Sequence, residues 1–252
     1  MQKTADQMGL PDVPRPFASV GNPESDVHIN GEYLRRNPSW HVEHSPWKAE
    51  NLRRMLQKHK LTPRSVCDVG CGVGEVLRQF QMKIDPGCVC CGYDVASAAI
   101  SRARERANDR LHFELADFTA IETPRFDLLI MTEVLDHVED YFRFLRGLRA
   151  RAEWKLFSFS LDFSAESSLR PGVLSYWRDT LSHLHHFNQT MLLDVLRRTG
   201  YEVVDFEYAP WPYRPSHLAA RLRNGIRGLV FRTNPDLAAR LFIGYNLIVL
   251  AR

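Results

Sequence analysis

Three glycines, Gly70, Gly72 and Gly74, alternate within "VCDVGCGVG", and Asp68 stands two residues before the first of them. Glycine lets a backbone turn sharply and lie close against a ligand, and a helix that starts just beyond offers N–H groups with no partner inside the helix. Two more acids stand at comparable places, Asp94 at the end of "CVCCGYD" and Asp117 in "LHFELADF". A carboxylate in the first place can accept hydrogen bonds from both hydroxyls of a ribose, and one in the second can accept from an exocyclic amine. Each aspartate alone also reads as a turn or helix-cap residue. Their order behind the glycines makes an adenosine-bearing cofactor the expectation. Histidines offer the remaining chemistry. His137 in "LDHVED", and His183, His185 and His186 in "SHLHHFN", titrate near neutral pH and suit a general base, or else serve as structural donors.

Such residues need elements to place them. "RSVCDVG" reads as a short buried strand ending in the glycine turn, and "EVLRQFQMK" as the helix after it. "CVCCGYD", "LHFELADF", "FDLLIMT" and "WKLFSFSL" read as further strands, with helices at "SAAISRARERAND" and "EDYFRFLRGLRARAE" between them. "QTMLLDVLRRTG" is a helix closed by Gly200, and "YEVVDFEY" and "LFIGYNLIVLAR" are two last strands. Strands alternating with helices predict a doubly wound, mainly parallel sheet with right-handed crossovers. Ligands of such a sheet bind beyond the carboxyl ends of its strands, beside the switch point. Ahead of the glycines, "HSPWKAENLRRMLQKHK" predicts a helix capped by Ser45, with Pro46 in its first turn and an apolar stripe of Trp47, Leu52, Met55 and Leu56. The glycine spacing is G-x-G-x-G, whereas the dinucleotide fingerprint sets its third glycine one place later. That spacing, and the lack of a Tyr/Lys hydride-handling pair, argue against a nicotinamide-dependent reductase.

Taken together, "VCDVGCGVGEVL", "CGYDVASAAISRARERA", "LHFELADF", "FDLLIMTEVLDHVEDYFRFL" and "HHFNQTMLLDVLRRTGYEVVDFE", spanning roughly Arg64 to Glu207, resemble the class I S-adenosylmethionine-dependent methyltransferases. The resemblance implies a Rossmann-like α/β fold whose seven-stranded sheet is mostly parallel with an antiparallel last strand. It implies that Asp68, Gly70, Gly72 and Gly74 hold the methionine part of S-adenosylmethionine. By the same resemblance Asp94 takes the ribose, Asp117 and Phe118 take the adenine, and Thr132 and Glu133 line the pocket near the sulfonium. "EVLDHV" departs mildly, with Asp136 where many relatives carry Glu. "HLHHF" is similar to the lead-in of relatives that modify small molecules and sugars, which makes His183 the first candidate base and His137 the second. A metal at these histidines would want an acidic partner. No acidic motif accompanies them, so none is expected.

The chain has 252 residues, 44% hydrophobic and 25% charged, which suits one α/β domain with elaborations. The expected division is a mobile tail over 1–30, a helical lid over 31–60, and a cofactor-binding domain over 61–252 with inserts at 161–186 and 210–239. Tyr33, Trp40, His41 and Trp47 give the lid rings that either pack as core or exclude water, and Lys48 or Arg36 could meet the cofactor carboxylate. A net charge of +3 does not argue for a nucleic-acid partner. Five cysteines, odd in number and crowded onto apparent strands and one turn, read as buried thiols in a reducing, cytoplasmic compartment, and the first residues lack an apolar secretory core. The segment 210–239 is rich in arginine, with Leu218, Leu222, Ile226 and Leu229 near helical spacing. Its readings are an amphipathic helix closing the domain or a dimer interface, a cap for an anionic substrate, or attachment to an anionic membrane surface. The expectation is a monomeric or homodimeric enzyme that methylates a small molecule, at a hydroxyl of a sugar or secondary metabolite, with an amine as the alternative acceptor atom. An RNA methyltransferase and a catalytically silent cofactor-binding module are its rivals.

Overall fold

A computed structural model describes residues 27, 29, 31–213 and 218–252. The tail expected over 1–30 therefore lies outside the described residues except at Val27 and Ile29, as does Arg214. The strands are β1 (Ser65–Val69), β2 (Val89–Asp94), β3 (Leu111–Leu115), β4 (Phe126–Thr132), β5 (Ala152–Ser160), β6 (Val203–Pro210) and β7 (Tyr245–Ala251). They form one sheet in the order β3-β2-β1-β4-β5-β7-β6. β1 to β5 run parallel, and β7 runs antiparallel between β5 and β6. This is the Rossmann-like arrangement that the sequence implies, and its order reverses between β1 and β4.

Burial explains why the central strands read as apolar runs. All residues of β1 after Ser65 are buried, because helices cover both faces. On one face lie α2 (Ser45–Lys58), α3 (Glu75–Gln81) and α4 (Ser97–Arg104), which supply Leu52, Met55, Leu77, Phe80 and Ile100 to a core with Val66, Leu128 and Ile130. On the other lie α5 (Tyr141–Leu148), α8 (Gln189–Arg198) and α10 (Pro235–Leu241), which bring Leu145, Leu148, Leu192, Leu196 and Ala238 against Leu129, Phe157 and Val249. Each fully buried aliphatic or aromatic side chain contributes about 1.5–3 kcal/mol. The five cysteines are free, and all but Cys91 are buried. No helix among the described residues is long and apolar enough to cross a membrane.

Several local readings hold and several shift. Gly200 ends α8 with φ +90, and Tyr201 N–H donates back to Leu196 O at 3.0 Å. Ser45 does not cap α2; it is the first residue of the helix, after His44, and Pro46 starts it without a side-chain cap. The helix expected through Glu153 stops at Leu148, passes through a 3-10 turn over Arg149–Arg151, and gives way to β5 at Ala152, whose burial against the sheet decides the boundary. The segment 31–60 divides in two. Its second half is α2, packed on the sheet by Leu52, Met55 and Leu56, and its first half holds the short α1 (Glu32–Arg36) and the rings of Tyr33 and Trp40, 4.9 Å apart.

The stretch 161–186 carries α6 (Ala165–Leu169) and α7 (Val173–Leu181), and 210–239 carries α9 (Leu218–Thr233) and most of α10. α9 is a helix as the spacing predicts, yet Leu218, Leu222, Ile226 and Leu229 are all more than half exposed, so its apolar stripe does not close the domain.

The turn after β1 has a packing requirement of its own. Gly74 precedes α3 at φ +77, and a Cβ there would lie 2.5 Å from Phe113 Cζ. A left-handed non-glycine residue and an overpacked contact together cost roughly 2–4 kcal/mol. Gly74→Ala is expected to lower unfolding stability by about that amount in a urea titration. A loss well under ~1 kcal/mol would mean that Phe113 moves aside without cost.

Candidate active site

The carboxyl ends of β1, β2, β4 and β5 open into one cleft of about 950 Å³. Gly70, Gly72, Asp94, Asp117, Phe118, Thr132 and Glu133 line one part of it, and His137 and His183 line another. Asp68 and Gly74 lie behind the wall rather than on it.

The glycine turn and the second strand are joined by a carboxylate. Asp94 Oδ2 accepts from Gly72 N–H at 2.7 Å, and Oδ1 accepts from Ala96 N–H at 2.8 Å. Burial raises the Asp94 pKa, against the lowering effect of those backbone bonds. Asp117 accepts from Thr119 N–H and Oγ1–H at 2.9 and 2.7 Å, which fixes the turn after β3. Phe118 beside it is buried against Tyr93, with ring centroids 4.8 Å apart. Asp68 is fully buried, and neither carboxyl oxygen has a hydrogen-bond partner among the described residues. Burial first, then the charge of Asp94, pushes its pKa up to about 8. A buried carboxyl without a donor is costly as an anion, and since Asp68 stands behind the wall, it is the bare backbone of Gly70 and Gly72 in front of it that a bound group can approach.

From the front, the cleft is closed by the segment before α2. A Cβ on Gly72 would sit 2.4 Å from Trp40 Nε1, so the indole rests directly on the glycine turn. Lys48 does not stand alone for a ligand carboxylate. Its Nζ lies 2.7 Å from Glu133 Oε2, and Glu133 Oε1 accepts from Asn246 Nδ2 at 2.7 Å. Arg36, the other cation proposed from sequence, pairs with Glu32 and donates to Asp179 O at 3.0 Å.

Two of the histidines, His137 and His183, line the same cleft as the glycine turn. His183 is buried, and its Nδ1 lies 2.5 Å from Asp162 Oδ2. Asp162 is also buried, just beyond the end of β5. His186 Nδ1 is 3.5 Å from the same oxygen. His137 Nδ1 lies 3.0 Å from Ser182 O, and its ring centroid is 5.1 Å from that of His183. The loop is held in register by Asp136, whose backbone oxygen accepts from Leu184 and His185 N–H at 2.8 and 3.2 Å. Burial opposes the imidazolium of His183, but Asp162 and Asp136 outweigh it, and the net pKa is raised. Burial would raise the Asp162 pKa, yet the two histidines bring it below the ordinary carboxylate value. His185 faces away, with Nε2 3.2 Å from Glu139 O and its ring 4.8 Å from that of Tyr141.

Sequence reasoning missed Asp162. Its signal was available, since it is a further acid at the carboxyl end of a strand, as Asp94 and Asp117 are. It also supplies the acidic neighbour that the histidine cluster lacks in sequence: ligand atoms of Asp162, His183 and His186 lie within 4.8 Å of one another. Here the set is closed on itself by the His183–Asp162 hydrogen bond.

A family model described as a methyltransferase domain matches residues 35–205. No curated protein sequence matches the chain. Among solved structures, an S-adenosylmethionine-dependent methyltransferase from Mesorhizobium loti is 22% identical, covering 81% of this chain and 96% of that one with a TM-score of 0.53. Magnesium protoporphyrin IX methyltransferase from Synechocystis PCC 6803, with bound S-adenosylhomocysteine, is 15% identical, covering 90% and 96% with a TM-score of 0.57. A methyltransferase solved with the Haloferax volcanii Trm112 activator is 13% identical, covering 92% and 98% with a TM-score of 0.62. At such identities the structures establish the fold, while the family model covers more than half of the chain. With the glycine turn, the strand-end acids and this match in agreement, the chain belongs to the class I S-adenosylmethionine-dependent methyltransferases.

Proposed function

We propose that this enzyme methylates a small-molecule acceptor at a hydroxyl, with His183 as the general base. The observation that carries the reading is the buried His183–Asp162 pair on the wall of the cleft that the glycine turn also lines. S-adenosylmethionine supplies an electrophilic methyl group on sulfur and leaves as S-adenosylhomocysteine, so the protein's tasks are alignment and proton transfer.

On this reading Asp162 accepts from His183 Nδ1–H and fixes the tautomer, which leaves the lone pair on Nε2 to take a hydroxyl proton. The acceptor oxygen, relieved of its proton by His183, would be the nucleophile for the methyl group that the bound cofactor supplies. Asp162, in hydrogen-bond contact with the ring, would stabilise the imidazolium that results. Asp94 would hold the ribose hydroxyls, Asp117 and Phe118 the adenine, and Asp68 and the glycine turn the methionine end. Thr132 and Glu133 would lie beside the reacting centre. His137 would orient the acceptor, because its Nδ1 is occupied by Ser182 O. Trp177, Leu181, Trp211 and Tyr213 line the same cleft and would wall a compact, partly apolar acceptor, a sugar or secondary metabolite, rather than an extended polymer.

Asp94→Ala is expected to weaken S-adenosylmethionine binding by about 1.5–3 kcal/mol, measured by calorimetry alongside a circular-dichroism melt showing the fold intact. Unchanged affinity would remove Asp94 from the cofactor site.

His183→Gln should cut turnover by roughly 10²–10⁴ while cofactor affinity holds. The base works neutral and its pKa is raised, so the wild-type rate should climb with pH through a value above the ordinary histidine ~6.5. Asp162→Asn removes a carboxylate that raises it, so that limb should move to lower pH. A limb that stays in place in Asp162→Asn, or turnover abolished by a chelator and restored by a divalent cation, would overturn the dyad.

A further inference from the structure

Two arginines of α9, Arg223 and Arg227, line the cleft while its leucines are exposed. Arg227 is only 6% exposed and lines the cleft. Its Nη2 donates to Trp211 O at 3.2 Å, its Nη1 to Ile243 O at 3.4 Å, and its guanidinium lies 4.8 Å from the centroid of the Tyr245 ring. Carbonyls and a ring fix a cation in place without neutralising it.

Glu166 is the acid whose charge reaches Arg227, and it is already engaged. Its Oε1 accepts from Arg170 Nη1 at 2.9 Å and from Arg223 Nη1 at 2.6 Å, and its Oε2 accepts from Ile243 N–H at 3.1 Å. Arg170 and Arg223 line the cleft as well. Two guanidinium groups thus share one carboxylate, and a third, the more deeply buried Arg227, has no ion pair with any described residue. A buried charge without a counter-ion is costly unless something completes the site. Burial also lowers the Arg227 pKa below the usual guanidinium range, as expected of a cation that lacks its anion.

We propose that this corner of the cleft binds an anionic group carried by the methyl acceptor, a carboxylate or a phosphate, with Arg227 as its anchor and Arg170 and Arg223 at its edge. A planar guanidinium matches the oxygen pairs of both groups. The anchor rests on the reading of this cleft as an acceptor site. It is not placed for the cofactor's own carboxylate. Trp211 follows β6 and Ile243 precedes β7, and β7 is three strands from β1 in the sheet, roughly 14 Å at ~4.8 Å per strand. The acceptor would then be held at two points, its anion by Arg227 and its nucleophile by His183. Such a pair selects molecules that carry both groups at the right separation, and a neutral analogue leaves the arginine unpaired.

The test uses the full chain saturated with S-adenosylhomocysteine, so that the cofactor site is already filled. Benzoate, inorganic phosphate and benzamide are titrated in turn by calorimetry, with tryptophan fluorescence as a second signal because Trp177 and Trp211 line the cleft. Benzoate or phosphate should bind saturably, at least tenfold more tightly than benzamide, and the better of the two identifies the anion as carboxylate or phosphate. Arg227→Gln should weaken that anion at least tenfold, with S-adenosylhomocysteine affinity unchanged. Arg227 also braces two carbonyls, so this variant risks misfolding, and Glu166→Gln provides an independent arm. Freeing Arg170 and Arg223 from their carboxylate should tighten the anion threefold or more. Benzamide binding as well as benzoate, no saturable anion binding, or a Glu166→Gln protein with unchanged anion affinity would overturn the proposal. The measurement reads no turnover, so a failure of His183 as the base would leave its result standing.

Discussion

The carboxylate of Glu133 is the point through which the walls of the cleft are tied. It stands just past β4, where its backbone N–H donates to Ser158 O of β5 at 2.8 Å. One oxygen accepts from Lys48 of α2 and the other from Asn246 of β7, each at 2.7 Å. Asn246 in turn donates to Ser158 Oγ at 3.2 Å. The Lys48 and Glu133 side chains are 11% and 17% exposed, so this pair is screened far less than a surface ion pair, and loss of one partner would leave a poorly solvated charge. One side chain therefore ties α2, which its apolar residues pack on the sheet, to the ends of β4 and β7.

Around that link the site sorts its acids by environment. Asp68 and Asp136 are buried without hydrogen-bond partners for their carboxyl groups among the described residues, and burial moves both pKa values upward. Asp162 is buried as well, but two histidines bring it down. Carboxyl groups with the same intrinsic chemistry thus differ in how readily they ionise, set apart by burial and by their neighbours. A proton taken up by His183 stays near an ionised acid.

Much of this was legible in the chain. Strand-end acids and the glycine turn can be read because parallel sheets place ligand-binding residues at one edge, and local patterning gives that edge away. His183 could be singled out as part of a turn leading into a helix. Asp162 was overlooked although it obeys the strand-end rule, because its partner lies 21 positions along the chain and no local motif joins them. The Lys48–Glu133 pair spans 85 positions and is fixed by the packing of α2 on the sheet. For α9 the period announced a helix correctly but not which side would be covered. Arg227 turns inward because carbonyls and a tyrosine ring receive it, and no periodicity encodes those partners.

One backbone feature has a bearing on how this protein could be altered. Five described non-glycine residues have left-handed dihedral angles: Trp40, His41, Lys60, Glu133 and Ser182. Trp40, His41 and Glu133 line the cleft, and Ser182 directly precedes His183. Each such conformation costs of order 1–3 kcal/mol of strain. The local stability given up is therefore concentrated around the cleft rather than spread over the scaffold. Relaxing these positions with glycine would relieve the strain and loosen the geometry together, the usual trade-off between stability and activity. A hardier version of the enzyme is better sought on its outer helices, where no residue has been bent to serve the cleft.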